Sequence, residues 1–65
     1  MFDTILTVEG ISMRPGNPAS AENILSIASC LNASRLNCNI IDATTGEVLA
    51  HNGWVSPALK ESLMA

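Results

Sequence analysis

Alternation of apolar and polar residues with a period of two predicts three β-strands, at 2–8, 36–43 and 47–52. Successive side chains of a strand point to opposite faces, so the alternation also assigns each residue to a face. One face takes Phe2, Leu6, Val8, Leu36, Cys38, Ile40, Val48 and Ala50. The other takes Asp3, Ile5, Thr7, Glu9, Asn37, Asn39, Ile41, Glu47, Leu49 and His51. Gly10 ends the first strand or bends it into a short extension at 11–13.

A period of 3.6 replaces this alternation between residues 20 and 35 and again near the end of the sequence. The first helix carries Ala21, Ile24, Leu25, Ala28 and Leu31 on one side. Its N-cap is Asn17, followed by Pro18, or alternatively Ser20. A second, short helix begins after the Ser56-Pro57 pair.

Turn residues separate these elements. The run RPGNP at 14–18 lies between the first strand and the first helix. Asp42 to Gly46 is a hairpin loop, in which Gly46 takes the left-handed conformation. Asn52-Gly53 closes the last strand. Trp54 is expected to act as a hydrophobic staple between the hairpin and the last helix, with an interface anchor as the alternative.

The order β-α-β-β-α predicts one α+β domain over residues 1–65, with a three-stranded sheet and the long helix on one face. If the strands at 2–8 and 36–43 are neighbours, they are parallel and the helix is a right-handed crossover. The terminal helix covers the second face, lies at an edge or packs on a partner.

Composition sets limits on function. The 65 residues include one Phe, one Trp and no Tyr, so a partner or a second copy would add buried surface. A net charge of −3 argues against direct nucleic-acid binding. The acidic start is not a signal peptide, and no apolar run is long enough to span a membrane. We therefore expect a cytoplasmic protein with reduced thiols.

Candidate chemistry is weak. Cys38, His51 and Asp42 could suggest a thiol nucleophile, but Cys38 and His51 lie on opposite faces of the predicted sheet. No spacing matches a zinc site, and the four glycines form no phosphate-binding motif. The sequence predicts no catalytic residues, no metal and no cofactor, and thus a protein that is not an enzyme.

The remaining candidate is a surface. An apolar centre with an acidic rim, on the face away from the long helix, predicts partner binding. Its residues are Asp3, Ile5, Glu9, Glu47, Leu49 and His51. The terminal helix could instead cover this face and leave the acids solvated.

With its single tiny domain, its carboxylates Asp3, Glu9 and Glu47 on a sheet and no catalytic signature, the chain resembles the short orphan proteins of phages and mobile elements, including anti-CRISPR inhibitors. The resemblance implies a stoichiometric inhibitor that docks on a host nucleoprotein complex and blocks nucleic-acid binding as a partial DNA mimic. Two alternatives stay open: a homodimeric accessory or assembly module, and an enzyme with its active site at an oligomer interface.

Overall fold

A computed structural model describes residues 1–64, which form an antiparallel sheet with two helices on one side. The elements are β1 (Thr4–Val8), β2 (Ile11–Met13), α1 (Ala21–Ala33), β3 (Cys38–Asp42), β4 (Val48–His51), β5 (Trp54–Val55) and α2 (Pro57–Met64). The strand order is β2-β1-β3-β4-β5, and every neighbouring pair is antiparallel. The α+β class is confirmed, whereas the prediction of a three-stranded sheet is wrong.

Two tight turns create the two additional strands. Glu9 and Gly10 have φ values of 50° and 82°, and Asn52 and Gly53 have values of 44° and 89°. Positive φ at both central residues is the requirement of a two-residue type I′ hairpin. The chain therefore reverses directly after β1 and again after β4, and each reversal adds an edge strand to the sheet.

The predicted parallel pairing of the strands at 2–8 and 36–43 is also wrong, since β1 and β3 are antiparallel with Leu6 opposite Ile40. The reason is β2, which carries the chain back to the end of the sheet where β1 begins. There the backbones of Phe2 and Ala19 exchange hydrogen bonds of 2.7 and 2.8 Å. Because α1 starts at this end and runs to the other, β3 returns in the direction opposite to β1.

Side-chain caps fix where both helices begin. Ser20 caps α1, since its Oγ accepts a 3.2 Å hydrogen bond from the backbone N–H of Asn23. The alternative cap at Asn17 lies outside the helix. Ser56 caps α2 as predicted, and its buried Oγ accepts a 3.1 Å bond from the N–H of Leu59. Each cap satisfies one N–H that the first helical turn cannot.

The core lies between the sheet and the helices. α1 packs on β3 and β4, and α2 packs beside α1 on the same side of the sheet. Of the three positions open to the terminal helix, this excludes cover of the second face. The buried apolar residues are Ala21, Ile24, Ala28, Cys38, Ile40, Leu49, Ala50 and Leu59.

A β-bulge in β4 changes which residues face this core. Ile40 lies opposite Ala50 and Ile41 lies opposite Val48, so Leu49 is the extra residue of the bulged strand. Its side chain is only 1% exposed. The predicted position of Leu49 on the face away from the long helix is therefore wrong. Val48 takes that face instead, because the bulge shifts the alternation by one residue.

Candidate docking surface

The side of the sheet away from α1 and α2 is left uncovered by the described residues, and we call it the open face. Residues directly opposite one another in a sheet point to the same side, so the strand register identifies its members. They are Ile5, Thr7, Ser12, Asn39, Ile41, Val48, His51 and Trp54.

The open face contains two adjacent rows of side chains. Ile5, Ile41 and Val48 lie opposite one another across β1, β3 and β4 and form an aliphatic row, each of them half-buried. The second row, which we call the polar row, is Ser12, Thr7, Asn39, His51 and Trp54. An antiparallel sheet with one solvated face usually presents polar residues on it. The aliphatic row departs from that pattern and marks the open face as a candidate docking surface.

Trp54 belongs to the open face and not to the core. It lies in β5 opposite His51, and its side chain is 50% exposed. The predicted staple between the hairpin and the last helix is wrong, because the turn at Asn52-Gly53 starts a further strand. Within that strand Val55, on the other side, packs against the core.

In the polar row, the hydrogen bond of His51 fixes which of its ring nitrogens carries the proton. The His51 Nδ1 lies 2.9 Å from the carbonyl oxygen of Cys38, and since a carbonyl only accepts, Nδ1–H is the donor. The Nε2 of this exposed side chain is then the atom through which His51 can bond a partner. Beside it, the buried Oδ1 of Asn39 has no hydrogen-bond partner among residues 1–64. An unsatisfied buried acceptor costs about 1–3 kcal/mol, so stability alone does not explain this residue.

The acids lie around the open face without forming a cluster. Asp3 and Glu9 sit at opposite ends of β1, about 20 Å apart for six residues of extended chain. The Asp3 carboxylate forms a 2.7 Å ion pair with Arg14, with both side chains largely exposed. Glu47 lies in the loop before β4, outside the strand. The bulge shifts the alternation at Glu47 as it does at Leu49, so the register does not place Glu47 on this face as predicted.

The cysteine and histidine weighed as a catalytic pair are separated as predicted. Cys38 is buried on the helix side, whereas His51 is exposed on the open face and its Nδ1 bonds the Cys38 backbone carbonyl. Burial raises the pKa of the Cys38 thiol above its ordinary value of 9.0, which disfavours the nucleophilic thiolate. Within residues 1–64, no three His, Cys, Asp or Glu side chains are grouped to hold a metal ion.

The comparisons with known proteins give no relative. No family model, no curated protein and no solved structure matches this chain. Neither helix within residues 1–64 has the length and apolar character needed to cross a membrane. A functional proposal therefore has to rest on the geometry of the open face.

Some open-face residues had a sequence signal and others had none. The Asn52-Gly53 dipeptide favours a type I′ hairpin, and it could have placed Trp54 in a fifth strand beside His51. The bulge had no such signal, because Val48, Leu49 and Ala50 are all apolar. Without a polar residue in the run, the pattern does not reveal which of them faces outward.

The two thiols are expected to differ sharply in reactivity. Cys30 is exposed on α1, whereas Cys38 is buried and its pKa is raised. At low micromolar protein, iodoacetamide should modify Cys30 at least about 100-fold faster, since Cys38 reacts only after the fold opens. Mass spectrometry of peptides over a time course measures both rates, and urea-unfolded protein is the control in which they converge. Similar rates in the native protein would contradict the buried position of Cys38.

Proposed function

We propose that the protein is a non-enzymatic binding module that docks on another protein through its open face. The observation that carries the proposal is the aliphatic row of Ile5, Ile41 and Val48 on a side of the sheet that both helices leave bare. Removing such surface from water contributes about 25 cal/mol per Å². Trp54 borders the row with half of its side chain exposed, and Trp is enriched among the residues that dominate binding energy.

The specific action that we propose is stoichiometric inhibition of the anti-CRISPR type. The protein would occupy, in the host cytoplasm, a surface of a nucleoprotein complex on which nucleic acid otherwise binds. A net charge of −3 favours approach to such a basic surface, and Asp3 and Glu9 at the two ends of β1 flank the apolar centre. Because Asp3 already pairs with Arg14, apolar contact supplies most of the affinity and charge mainly guides the encounter.

The geometry of the reactive side chains supports a binding role over catalysis. Cys38 lies in the core with a raised pKa, and His51 uses its Nδ1 for a backbone carbonyl on the other face. A nucleophile and its base must lie within hydrogen-bonding reach of each other. In this fold the sheet itself separates the two.

The test uses a panel of purified guide-RNA nucleoprotein complexes, each assayed for target-DNA binding with increasing amounts of the protein. We expect inhibition of one complex to saturate at one chain per binding site. Trp54→Ala should weaken it by about 30-fold or more, the equivalent of 2 kcal/mol at a hot spot. Lys60→Ala, an exposed change on α2 at the far side of the molecule, is the matched control and should leave inhibition unchanged.

Salt dependence separates apolar docking from DNA mimicry. We expect affinity to fall by about tenfold or less between 50 and 200 mM salt, against a loss of about 10³-fold or more for extensive phosphate-like contacts. Inhibition that survives both Trp54→Ala and Ile41→Lys would exclude the open face. Failure to inhibit any complex in the panel would contradict the proposed inhibitor role. It would favour the alternative function, a homodimeric accessory or assembly module.

A further inference from the structure

A second apolar surface lies on the helix side of the sheet, over β1 and β2. Neighbouring strands are about 4.8 Å apart, whereas packed helices are about 10 Å apart. Because α1 lies on β3 and β4 and α2 lies beside α1, the sheet remains uncovered over β1 and β2. This uncovered part, at the β2 edge, is about as wide as one helix. We call this region the edge groove. Its floor is formed by Leu6, Val8, Ile11 and Met13, which the hairpin register places on the helix side.

The groove has depth as well as area. A cavity of about 310 Å³ opens between β1, α1 and the connection at 15–19. Leu6 and Ile40 line it from the sheet, Ile24 and Ile27 line it from the helix, and Pro15 and Pro18 close one end.

Three of the large apolar side chains that the protein exposes lie on or beside this groove. Ile11 is 67% exposed, Met13 is 49% exposed and Ile27 is 41% exposed. Single exposed apolar residues are common on protein surfaces, but neighbouring ones that flank a cavity mark interaction sites.

The groove and its rim carry almost no charge. α1 contains thirteen residues of which only Glu22 is charged, and β2 and the connection at 15–19 contain no charged residue. Arg14, which joins β2 to this connection, is paired with the carboxylate of Asp3. A surface helix normally presents charged residues on its outer side. The outer side of α1 presents mainly Asn, Ser, Ile and Cys instead. Depletion of charge is the compositional mark of the centre of a protein interface.

We infer that the occupant of the edge groove is a second copy of this chain, in a two-fold symmetric dimer. In such an interface each surface meets itself, so a charge near the axis would face its own like charge. For a chain with a net charge of −3, a surface that is poor in charge therefore opposes self-pairing least. The edge groove is such a surface, whereas the open face has Asp3 and Glu9 at its ends.

The size of the protein gives a reason for pairing. A chain of 65 residues buries a smaller fraction of its surface on folding than a larger domain does, and association adds to what it buries. A standard interface takes about 800 Å² from each partner, roughly a fifth of the 4116 Å² that this protein exposes. We expect a weak dimer, with a Kd on the order of micromolar. The open face stays free, and the dimer presents two copies of it.

Sedimentation velocity from about 1 µM to 1 mM protein tests the inference, and the wild type should pass from monomer to dimer across this range. Ile27→Glu places a charge in the groove and should raise the Kd by about 100-fold or more. Ser29→Glu makes the same kind of change on another side of α1, which lines a small cavity with Gly53 and Val55, and should leave the dimer intact. Circular dichroism confirms that each variant is folded. A wild type that stays monomeric at 1 mM overturns the inference, and so does a dimer that Ile27→Glu does not weaken.

A second measurement needs no variant, and it decides the question if Ile27→Glu fails to fold. Cys30 follows Ile27 by three residues and therefore lies on the same side of α1. We expect its alkylation by excess iodoacetamide to slow as protein concentration rises through the Kd, because the dimer covers this side of the helix. A rate that does not depend on protein concentration overturns the inference.

Discussion

Replacing Leu49 with Ala should lower the free energy of unfolding by about 2–5 kcal/mol. The side chain is 1% exposed and belongs to the cluster formed with Ile24, Ile40 and Leu59. Truncation removes buried apolar surface and leaves a cavity that the packed neighbours cannot fill completely. Small domains are stable by only about 5–15 kcal/mol, so this single change approaches the limit of what the fold tolerates. Urea unfolding followed by circular dichroism measures the loss.

Val48→Ala is the matched control for this prediction. Val48 is the preceding residue, but it lies half-buried on the open face. We expect its truncation to cost about 1 kcal/mol or less, as for residues outside the packed core. A strand without the bulge would bury Val48 and expose Leu49, and the order of the two effects would be reversed. The pair of variants therefore tests the bulge directly.

Asn52→Ala should cost about 2–3 kcal/mol, although the residue is exposed. Asn52 has a φ of 44°, in the left-handed region that Asn tolerates and Ala does not. Its Oδ1 accepts a 2.8 Å hydrogen bond from the N–H of Cys38, and its Nδ2 donates to Oδ1 of Asn37 at 3.3 Å. The substitution removes both bonds and also strains the turn that starts β5.

Two further variants separate these causes. Asn52→Gly keeps the left-handed conformation but loses the side-chain bonds, and we expect a loss of about 1–1.5 kcal/mol. Asn52→Asp keeps an acceptor for the Cys38 N–H and should be the mildest of the three. The same unfolding measurement applies. If Gly proves as damaging as Ala, backbone strain contributes nothing at this position and the hydrogen bonds alone account for the effect.

Local signals in the sequence were sufficient to predict the helices, the central strands and several turns. Ser56 followed by proline marked the start of α2, and Gly46 takes a φ of 77° in the loop where a left-handed residue was expected. The alternation in β3 correctly buried Cys38 and Ile40 on the helix side. These features depend on neighbours within a few residues, which is the range over which a sequence pattern carries information.

The hairpin of β3 and β4 was predicted, whereas the direction of β1 relative to β3 and the two edge strands depend on longer-range relations and were not. The Glu9-Gly10 turn is short and lacks the Asn or Asp that usually precedes Gly in type I′ hairpins. Because β2 was not recognised as a strand, the return of the chain before α1 went unseen, and the parallel crossover was the natural expectation. One unrecognised hairpin thus reversed the predicted direction of β3 relative to β1.

The short range of sequence signals also explains which residues of the candidate docking surface were predicted correctly and which were not. Ile5 and His51 lie on the open face as predicted, and Asp3 and Glu9 lie at its ends. Leu49 and Glu47 were misplaced by the bulge. The largest side chain of the open face, Trp54, was expected to be a staple to the last helix, with an interface anchor as the alternative, because the strand that carries it has only two residues.

The bare side of the sheet also shapes how this protein can evolve. Its side chains point away from the core, so substitutions there are largely uncoupled from those that determine folding. The rigid backbone of five strands then carries a set of positions that can change without a large cost in stability. If the proposed docking on the open face holds, this protein can follow a change in its partner's surface through successive substitutions there, while the side that holds the helices stays constant.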